Sequence, residues 1–245
     1  MTTFARFIIP LDTGSAEAVR VPAGADPRAA LAALSLPGCR AAVVIHGGAG
    51  SMDPALIDAV RDLFAASLAP FAERERVMIV DGGTQAGTMA AMGAARRAVG
   101  GTFPLIGVAP LGAVRFPGSG EQDAGRPPLD PDHSHFLLVE GDRFGIESPL
   151  LVGLLGAAGV PGTALVVNGG PIVREEIGAQ AAAGNPVIVV AGSGRAADEL
   201  ADPHSDLRRT TPGLRLEIAH LTQPASLTAA LERLLLAPGR SDAGN

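Results

Sequence analysis

Residues 41–54 read AAVVIHGGAGSMDP: a short apolar run rich in β-branched residues (Ala41 to Ile45), a glycine-rich turn, then Asp53 followed by Pro54. An apolar run of this length, bounded by glycine, suits a strand buried on both faces of a parallel sheet. Asp53 is a good N-cap because its carboxylate accepts from backbone N–H groups that no helical carbonyl reaches. Proline fits the first helical position because it lacks the N–H that would go unpaired there. Leu56, Ile57, Val60, Leu63, Phe64, Leu68 and Phe71 then recur at helical spacing, with Asp58, Arg61 and Asp62 between them, which predicts one amphipathic helix. The unit is strand, turn, helix.

The unit recurs along the chain. Arg76 to Val80 leads through DGGTQAGT to a helix from Met89 to Val99. Ala164 to Val167 leads through NGGP to a helix from Ile172 to Ala183, and Val187 to Val190 leads through AGSGR to a helix from Ala196. Further strands are expected at Pro104–Ala109, His135–Val139 and Leu214–Ala219, with helices at Pro149–Ala158 and Ser226–Leu236. Pro117 to Asp132 (PGSGEQDAGRPPLDPD) cannot bury a core and reads as a surface loop, a candidate mobile lid. Residues 1–38 read as an edge strand or hairpin plus a short helix, Asp26 to Leu34. The alternation predicts an α/β fold built on a mostly parallel sheet with helices on both faces. No linker interrupts it, so residues 1–245 are expected to form one domain.

Composition removes several function classes. All 19 basic residues are arginine, which excludes a Walker A lysine, a Schiff-base lysine and a pyridoxal-phosphate anchor. Trp and Tyr are absent, leaving eight Phe as the rings for stacking a base, and 25 acids give a net charge of −6 with no arginine cluster. Nucleic-acid binding is therefore not expected. Cys39, the single cysteine, permits neither an internal disulfide nor a cysteine-based zinc site. The N-terminal apolar run Phe7–Leu11 is too short for a signal peptide, and the longest uncharged apolar segment, Pro149–Gly162, falls short of the roughly 20 residues of a spanning helix. A cytoplasmic protein without membrane insertion is the expectation.

Four turns share one design: Gly47, Gly48, Gly50 and Ser51; Gly82, Gly83, Thr84, Gly87 and Thr88; Gly169, Gly170 and Pro171; and Gly192, Ser193, Gly194 and Arg195. Each follows an expected strand and opens an expected helix, so all four lie at the carboxyl edge of a parallel sheet. Backbone N–H groups and helix N-termini form an anion site there, and glycine lets phosphate approach the backbone. Any single turn is explained equally well by tight turning; four together point to a phosphate-bearing ligand. Gly192 to Ala197 also fits the G-x-G-x-x-A dinucleotide fingerprint. It closes the sheet instead of opening it and offers only Glu217 as a ribose acid, so a hydride-transfer dehydrogenase is not expected.

Asp132-His133-Ser134-His135 places two imidazoles on one strand face, but no third ligand is suitably spaced, so no metal is expected and the pair is assigned to packing or hydrogen bonding. His46, His204 and His220 are isolated and read as structural or solvated. No G-x-S-x-G elbow exists. Glu175 and Glu176, one to two turns into the helix that begins at Pro171, suit either acid–base work beside a ribose or simple complementation of the helix dipole.

The segments VVIHGG, IVDGGTQAGTMAAMG, IGVAP (106–110), HSHFLLVEGDRFGIESPL, LVVNGGP and PVIVVAGSGRAADEL resemble, in that order, the N-terminal cytosolic nucleotide-binding domain of melastatin-type (TRPM) channels. That domain belongs to the SLOG superfamily, with the LOG or lysine decarboxylase-like phosphoribohydrolases. The likeness covers about residues 41–201, leaving 1–40 as an N-terminal hairpin extension and 202–245 as a C-terminal strand and helix. It implies a Rossmann-like sheet that binds ADP-ribose or another NAD-derived nucleotide, with base and phosphates across the GG turns and His135, Phe144, Glu147 and Arg195 around them. No further cofactor is implied; a homodimer, as among LOG proteins, and a separate effector protein are the partners it suggests. Leu151 stands where channel members can carry a basic residue. The LOG pattern PGG-x-GT-x-x-E survives at Gly169, Gly170 and the following acids, but Ile172 and Val173 replace its Gly-Thr. The resulting reading is a soluble nucleotide-binding or sensing protein. The alternative is a LOG-type N-glycosidase with Glu175 and Glu176 catalytic.

Overall fold

The computed structural model describes residues 4–50, 52–120 and 125–236. In chain order its strands are β1 (Ala5–Leu11), β2 (Gly14–Val21), β3 (Ala41–Gly47), β4 (Val77–Asp81), β5 (Leu105–Pro110), β6 (His135–Val139), β7 (Gly162–Val167), β8 (Pro186–Ala191) and β9 (Arg215–His220). The helices are α1 (Pro27–Ala32), α2 (Pro54–Ala66), α3 (Leu68–Glu75), α4 (Gly87–Ala98), α5 (Ser148–Ala157), α6 (Pro171–Ala182), α7 (Arg195–Ala201), α8 (Asp206–Thr210) and α9 (Pro224–Leu235). The strands form one sheet, ordered β1-β2-β6-β5-β4-β3-β7-β8-β9. Among these nine strands only the β1–β2 pairing is antiparallel. The architecture is Rossmann-like α/β.

The opening unit folds as its residues dictate. Ala41 to His46 are all buried, the Asp53 carboxylate accepts from the Ala55 N–H at 2.8 Å, and Pro54 begins α2. Alternation along each strand then sorts the core. Val43, Ile45, Leu165 and Val167 face α2, α3, α4 and α9, while Ala42 and Val44 face α5 and Ala164 and Val166 face α6 and α7. The helices that follow the neighbouring parallel strands β3 and β7 thus pack on opposite faces, which opens a crevice at the carboxyl ends of those two strands.

Three expectations change. The single helix expected from Pro54 through Phe71 breaks at Ser67 (φ −136, ψ −74), whose hydroxyl donates to the Leu63 carbonyl at 2.6 Å. A short helix, α8, appears where none was expected. The Gly/Pro-rich loop is no free lid along its second half: Gln85 N–H donates to Pro128 O at 2.8 Å and Asp130 N–H to Gly83 O at 2.9 Å. Val114 and Leu129 pack on Ala109, Phe136 and Leu138 and take the place of a helix on that face. Residues 121–124 of the expected lid lie outside the described residues. Among the described residues, no helix is long and apolar enough to cross a membrane.

Candidate functional site

The crevice holds a cavity of about 430 Å³. Its floor is the end of β3 and the following turn (Ile45 to Gly50); its walls come from the turn before α4, the segment between β6 and α5, and the first turns of α6. Met89, Phe144, Leu151, Ile172 and Val173 supply apolar surface, and His46, Glu147, Glu176 and Arg195 supply the titratable groups. Ligands of open α/β sheets bind at this position because two diverging helices leave backbone and N-terminal dipoles exposed there.

Buried in one wall is a chain of hydrogen bonds with a single direction. Asn185 Nδ2 donates to Gln180 Oε1 at 2.5 Å, which turns the Gln180 amide nitrogen toward His46 Nε2 at 3.0 Å. That ring nitrogen accepts, so the proton sits on Nδ1, which lies 2.8 Å from Glu176 Oε2. Ser148 Oγ donates to the other carboxylate oxygen at 2.5 Å. Glu176 is thereby held in one rotamer with both oxygens engaged. Its neighbour Glu175 is exposed and takes no part.

Glu147, at the start of α5, is the second buried carboxylate of the pocket. Its Oε2 accepts the Gly145 N–H at 2.8 Å. Burial, with a contribution from the charge of Glu176, pushes its pKa up to about 6 against the lowering effect of backbone hydrogen bonds.

The guanidinium of Arg195 lies over Gly170, the N-cap of α6: a Cβ there would sit 3.1 Å from Arg195 Nη2. Arg195 (φ 53) and Asn168 (φ 58) are two of three non-glycine residues with positive φ among the described residues, and both flank the crevice. Non-glycine residues rarely adopt this conformation without a local reason. Asn168 uses it to bind the next turn: its N–H donates to Ser193 Oγ at 2.8 Å and its side-chain amide to Ser193 O at 2.7 Å.

Of the residues expected at the site, Gly47, Gly48, Gly50, Gly82, Thr84, Phe144, Glu147, Gly170, Pro171, Glu176 and Arg195 line the cavity. The others do not. Gly83 (φ 67) is demanded by packing, since a Cβ would lie 2.6 Å from Gly107 Cα. Gly87 abuts the Gly48 carbonyl, to which Thr88 N–H donates at 2.9 Å. Gly169, Gly192, Ser193 and Gly194 support the rim: Ala197 N–H donates to Asn168 O at 3.0 Å and Gly192 N–H to the Asp198 carboxylate at 2.6 Å. The fingerprint turn spends these donors within the protein and offers Arg195 to the pocket. His135 opens β6 at the amino ends of the strands, between Glu17 of β2 and Ile106 of β5, with its Nδ1 2.8 Å from Ser134 Oγ. Burial holds its pKa below the ordinary histidine value. Ser51 lies outside the described residues.

His46 gains partners that its reading as isolated does not contain, and His133 is packed and hydrogen-bonded as expected. His46 is not isolated; a polar residue ending a central strand, one position before GG, was the available signal. His133 is fully buried between Asp81 (Nε2 to Oδ1, 2.8 Å) and Asp130 (Nδ1 to Oδ1, 3.0 Å), so both ring nitrogens are committed to carboxylates. Asp81 Oδ1 also accepts the Gly83 N–H at 2.7 Å. This cluster fastens the loop to the turn before α4.

Fold and crevice together define a Rossmann-like domain with a ligand-sized cavity at its topological switch point. The chain belongs to the family described as SLOG in TRPM, prokaryote, whose profile matches residues 40–232. It is similar to transient receptor potential cation channel subfamily M member 2 of Rattus norvegicus and of Mus musculus, 28% identical to each over 196 residues, 65% of this chain and 13% of either channel. The chain therefore spans a small part of the length of these relatives. The X-ray structure of TM1055, a structural-genomics target, superposes with a TM-score of 0.53 at 20% identity, covering 80% of this chain and 99% of that one, a likeness of fold.

Proposed function

We propose that the crevice binds a nucleotide, ADP-ribose or another NAD-derived nucleotide, and that the protein senses this ligand without consuming it. The carrying observation is the juxtaposition of the α6 N-terminus, from Gly170 to Val173, with the Arg195 guanidinium above Gly170. A helix N-terminus and a guanidinium at one spot complement a diphosphate. Apolar surface from Met89, Phe144 and Leu151 suits a base, and the resemblance to the TRPM nucleotide-binding domain supports the same ligand class. In this reading residues 1–245 act as one cytoplasmic domain that passes its signal to a second copy or to a separate effector.

Thermal-shift and calorimetric titration with ADP-ribose, NAD, cyclic ADP-ribose, AMP and cyclic dinucleotides tests the reading. A ligand at about 100 times its dissociation constant stabilises the fold by roughly 2.7 kcal/mol. Gly50→Val is the site control, because Gly50 has nothing within 4 Å of its Cβ position and lines the cavity; the variant folds normally and loses affinity. If no nucleotide shifts the melt, the reading fails.

One observation favours hydrolysis: two carboxylates, Glu147 and Glu176, share the pocket, an arrangement used to divide acid and base roles. Against it, Ile172 and Val173 occupy the positions of the small LOG residues. Prolonged incubation with AMP or ADP-ribose is expected to release no more base than an enzyme-free control; multiple-turnover release would establish the glycosidase.

A further inference from the structure

The pocket carries two kinds of polar group: Arg195 beside the start of α6, and, in the α5/α6 wall, Glu147 and Glu176, which are only 8% and 6% exposed. We infer that this wall is a sugar-hydroxyl subsite, at which the carboxylates of Glu147 and Glu176 accept hydrogen bonds from an unphosphorylated ribose and exclude a ribose carrying a further phosphate. The inference rests on the nucleotide reading and specifies which nucleotides qualify.

An ionised carboxylate is acceptor-only, with two lone pairs on each oxygen. Ser148 and His46 use one lone pair on each oxygen of Glu176, which fixes the carboxylate and leaves a second lone pair on each. Glu147 is anchored through Oε2 by the Gly145 N–H. Fixed acceptors of this kind complement a vicinal diol, whose hydroxyls donate. A phosphate monoester carries at least one negative charge throughout this range, and that charge is opposed by two carboxylates in a site shielded from water. Around Glu147 the charged and titratable lining groups are His46 from β3, Glu176 from α6 and Arg195 from α7; the α4 side contributes Ala86 and Met89, which carry none.

The sign of the proton linkage separates the two occupants. Hydroxyl donors favour the ionised form of Glu147, whose pKa in the empty pocket is about 6, so binding releases a proton and affinity rises with pH; a phosphate at the same place does the reverse. ADP-ribose is the clean probe, since its bridging diphosphate carries no secondary ionisation in this range. Calorimetry of wild type with ADP-ribose is expected to show affinity about fivefold higher at pH 7.5 than at pH 5 if binding lowers the Glu147 pKa by about one unit. Glu147→Gln, with its fold checked by thermal melt, removes most of that dependence. In displacement of ADP-ribose, adenosine 5′-monophosphate outcompetes adenosine 2′,5′- and 3′,5′-bisphosphate by about 20-fold or more, a floor set below the full cost of an unpaired buried charge. Affinity that is flat or falls from pH 5 to 7.5, or bisphosphates that compete as well as the monophosphate, overturns the hydroxyl subsite while leaving nucleotide binding intact. Failure of every nucleotide to bind at either pH overturns the nucleotide reading itself.

Discussion

His46 and Glu176, 130 residues apart in the chain, meet at 2.8 Å in the wall of the crevice. The contact joins the end of β3 to the second turn of α6 across the point where the chain changes sheet face. Because Gln180 engages the other ring nitrogen, His46 has one orientation and one tautomer. Removing either partner leaves the other buried and underbonded, so His46→Phe and Glu176→Gln are each expected to destabilise the fold by about 1–3 kcal/mol. Their double variant should reveal a coupling of about 1–3 kcal/mol in denaturant melts. Strict additivity would show that the two side chains act independently.

His133 sets a different pH dependence. Its complete burial would by itself lower the pKa, but the charge of Asp81 and the hydrogen bonds to Asp130 and Asp81 raise it from 6.5 to about 10. A folded-state pKa above the unfolded one means that the proton stabilises the fold in full below pH 6.5 and that this contribution is lost as pH rises toward 10. The urea midpoint of wild type should therefore fall between pH 7 and 10. His133→Gln should start lower at pH 6, by about 3–5 kcal/mol for a broken buried ion cluster, and change less over the same window. Parallel losses in both proteins would contradict the assignment.

Glu147 works against stability at neutral pH. Its folded pKa of about 6 exceeds the ordinary 4.5, so its favourable contribution is complete below pH 4.5 and is lost as pH rises through 6. Glu147→Gln keeps an acceptor for the Gly145 N–H and should stabilise the fold by about 1–2 kcal/mol at pH 7.5. At pH 4.5 the two proteins should unfold alike. A variant less stable at both pH values would mean that the carboxylate is needed structurally.

Arg195 pays for its position with a left-handed backbone (φ 53). Arg195→Gly relieves that conformation and should raise stability by about 1 kcal/mol, while Arg195→Ala weakens binding of a diphosphate ligand by about 1.5–3 kcal/mol. An equal loss for adenosine and for ADP-ribose would show that the guanidinium does not read phosphate.

Gly83 and Gly50 look alike in sequence and should behave oppositely. A side chain at Gly83 meets the Gly107 backbone at 2.6 Å in a positive-φ residue, so Gly83→Ala should cost about 2–4 kcal/mol from overpacking and backbone strain together. Gly50→Val should leave the melt within about 0.5 kcal/mol of wild type. Reversed effects in thermal unfolding would refute this division.

That contrast marks the limit of what the residues alone reveal. Strand–turn–helix units, the N-cap at Asp53 and the parallel sheet were legible because each depends on neighbours within a few positions. The division of the four glycine turns was not, because it depends on what lies opposite: Thr88 against Gly47, Gly107 against Gly83, Asn168 against Gly48. His46 escaped notice for the same reason, its partners being Glu176 and Gln180 far along the chain. His135, expected at the ligand, is the first residue of a parallel strand and so lies at the amino ends of the strands, away from the crevice.

The pinning of the Gly/Pro-rich loop bears on traffic through the cavity. Pro127 forms part of the lining, and the backbone beside it is tied to the α4 turn through Gln85–Pro128 and Asp130–Gly83, with His133 locked behind. Opening that flank means breaking backbone hydrogen bonds. The lining also includes Phe144 and Ile172, which are 47% and 39% exposed. Rotamer changes there take place on a picosecond-to-nanosecond scale. For the nucleotide proposed above, the expected route of entry and exit therefore runs past Phe144 and Ile172 rather than past the pinned residues 125–132.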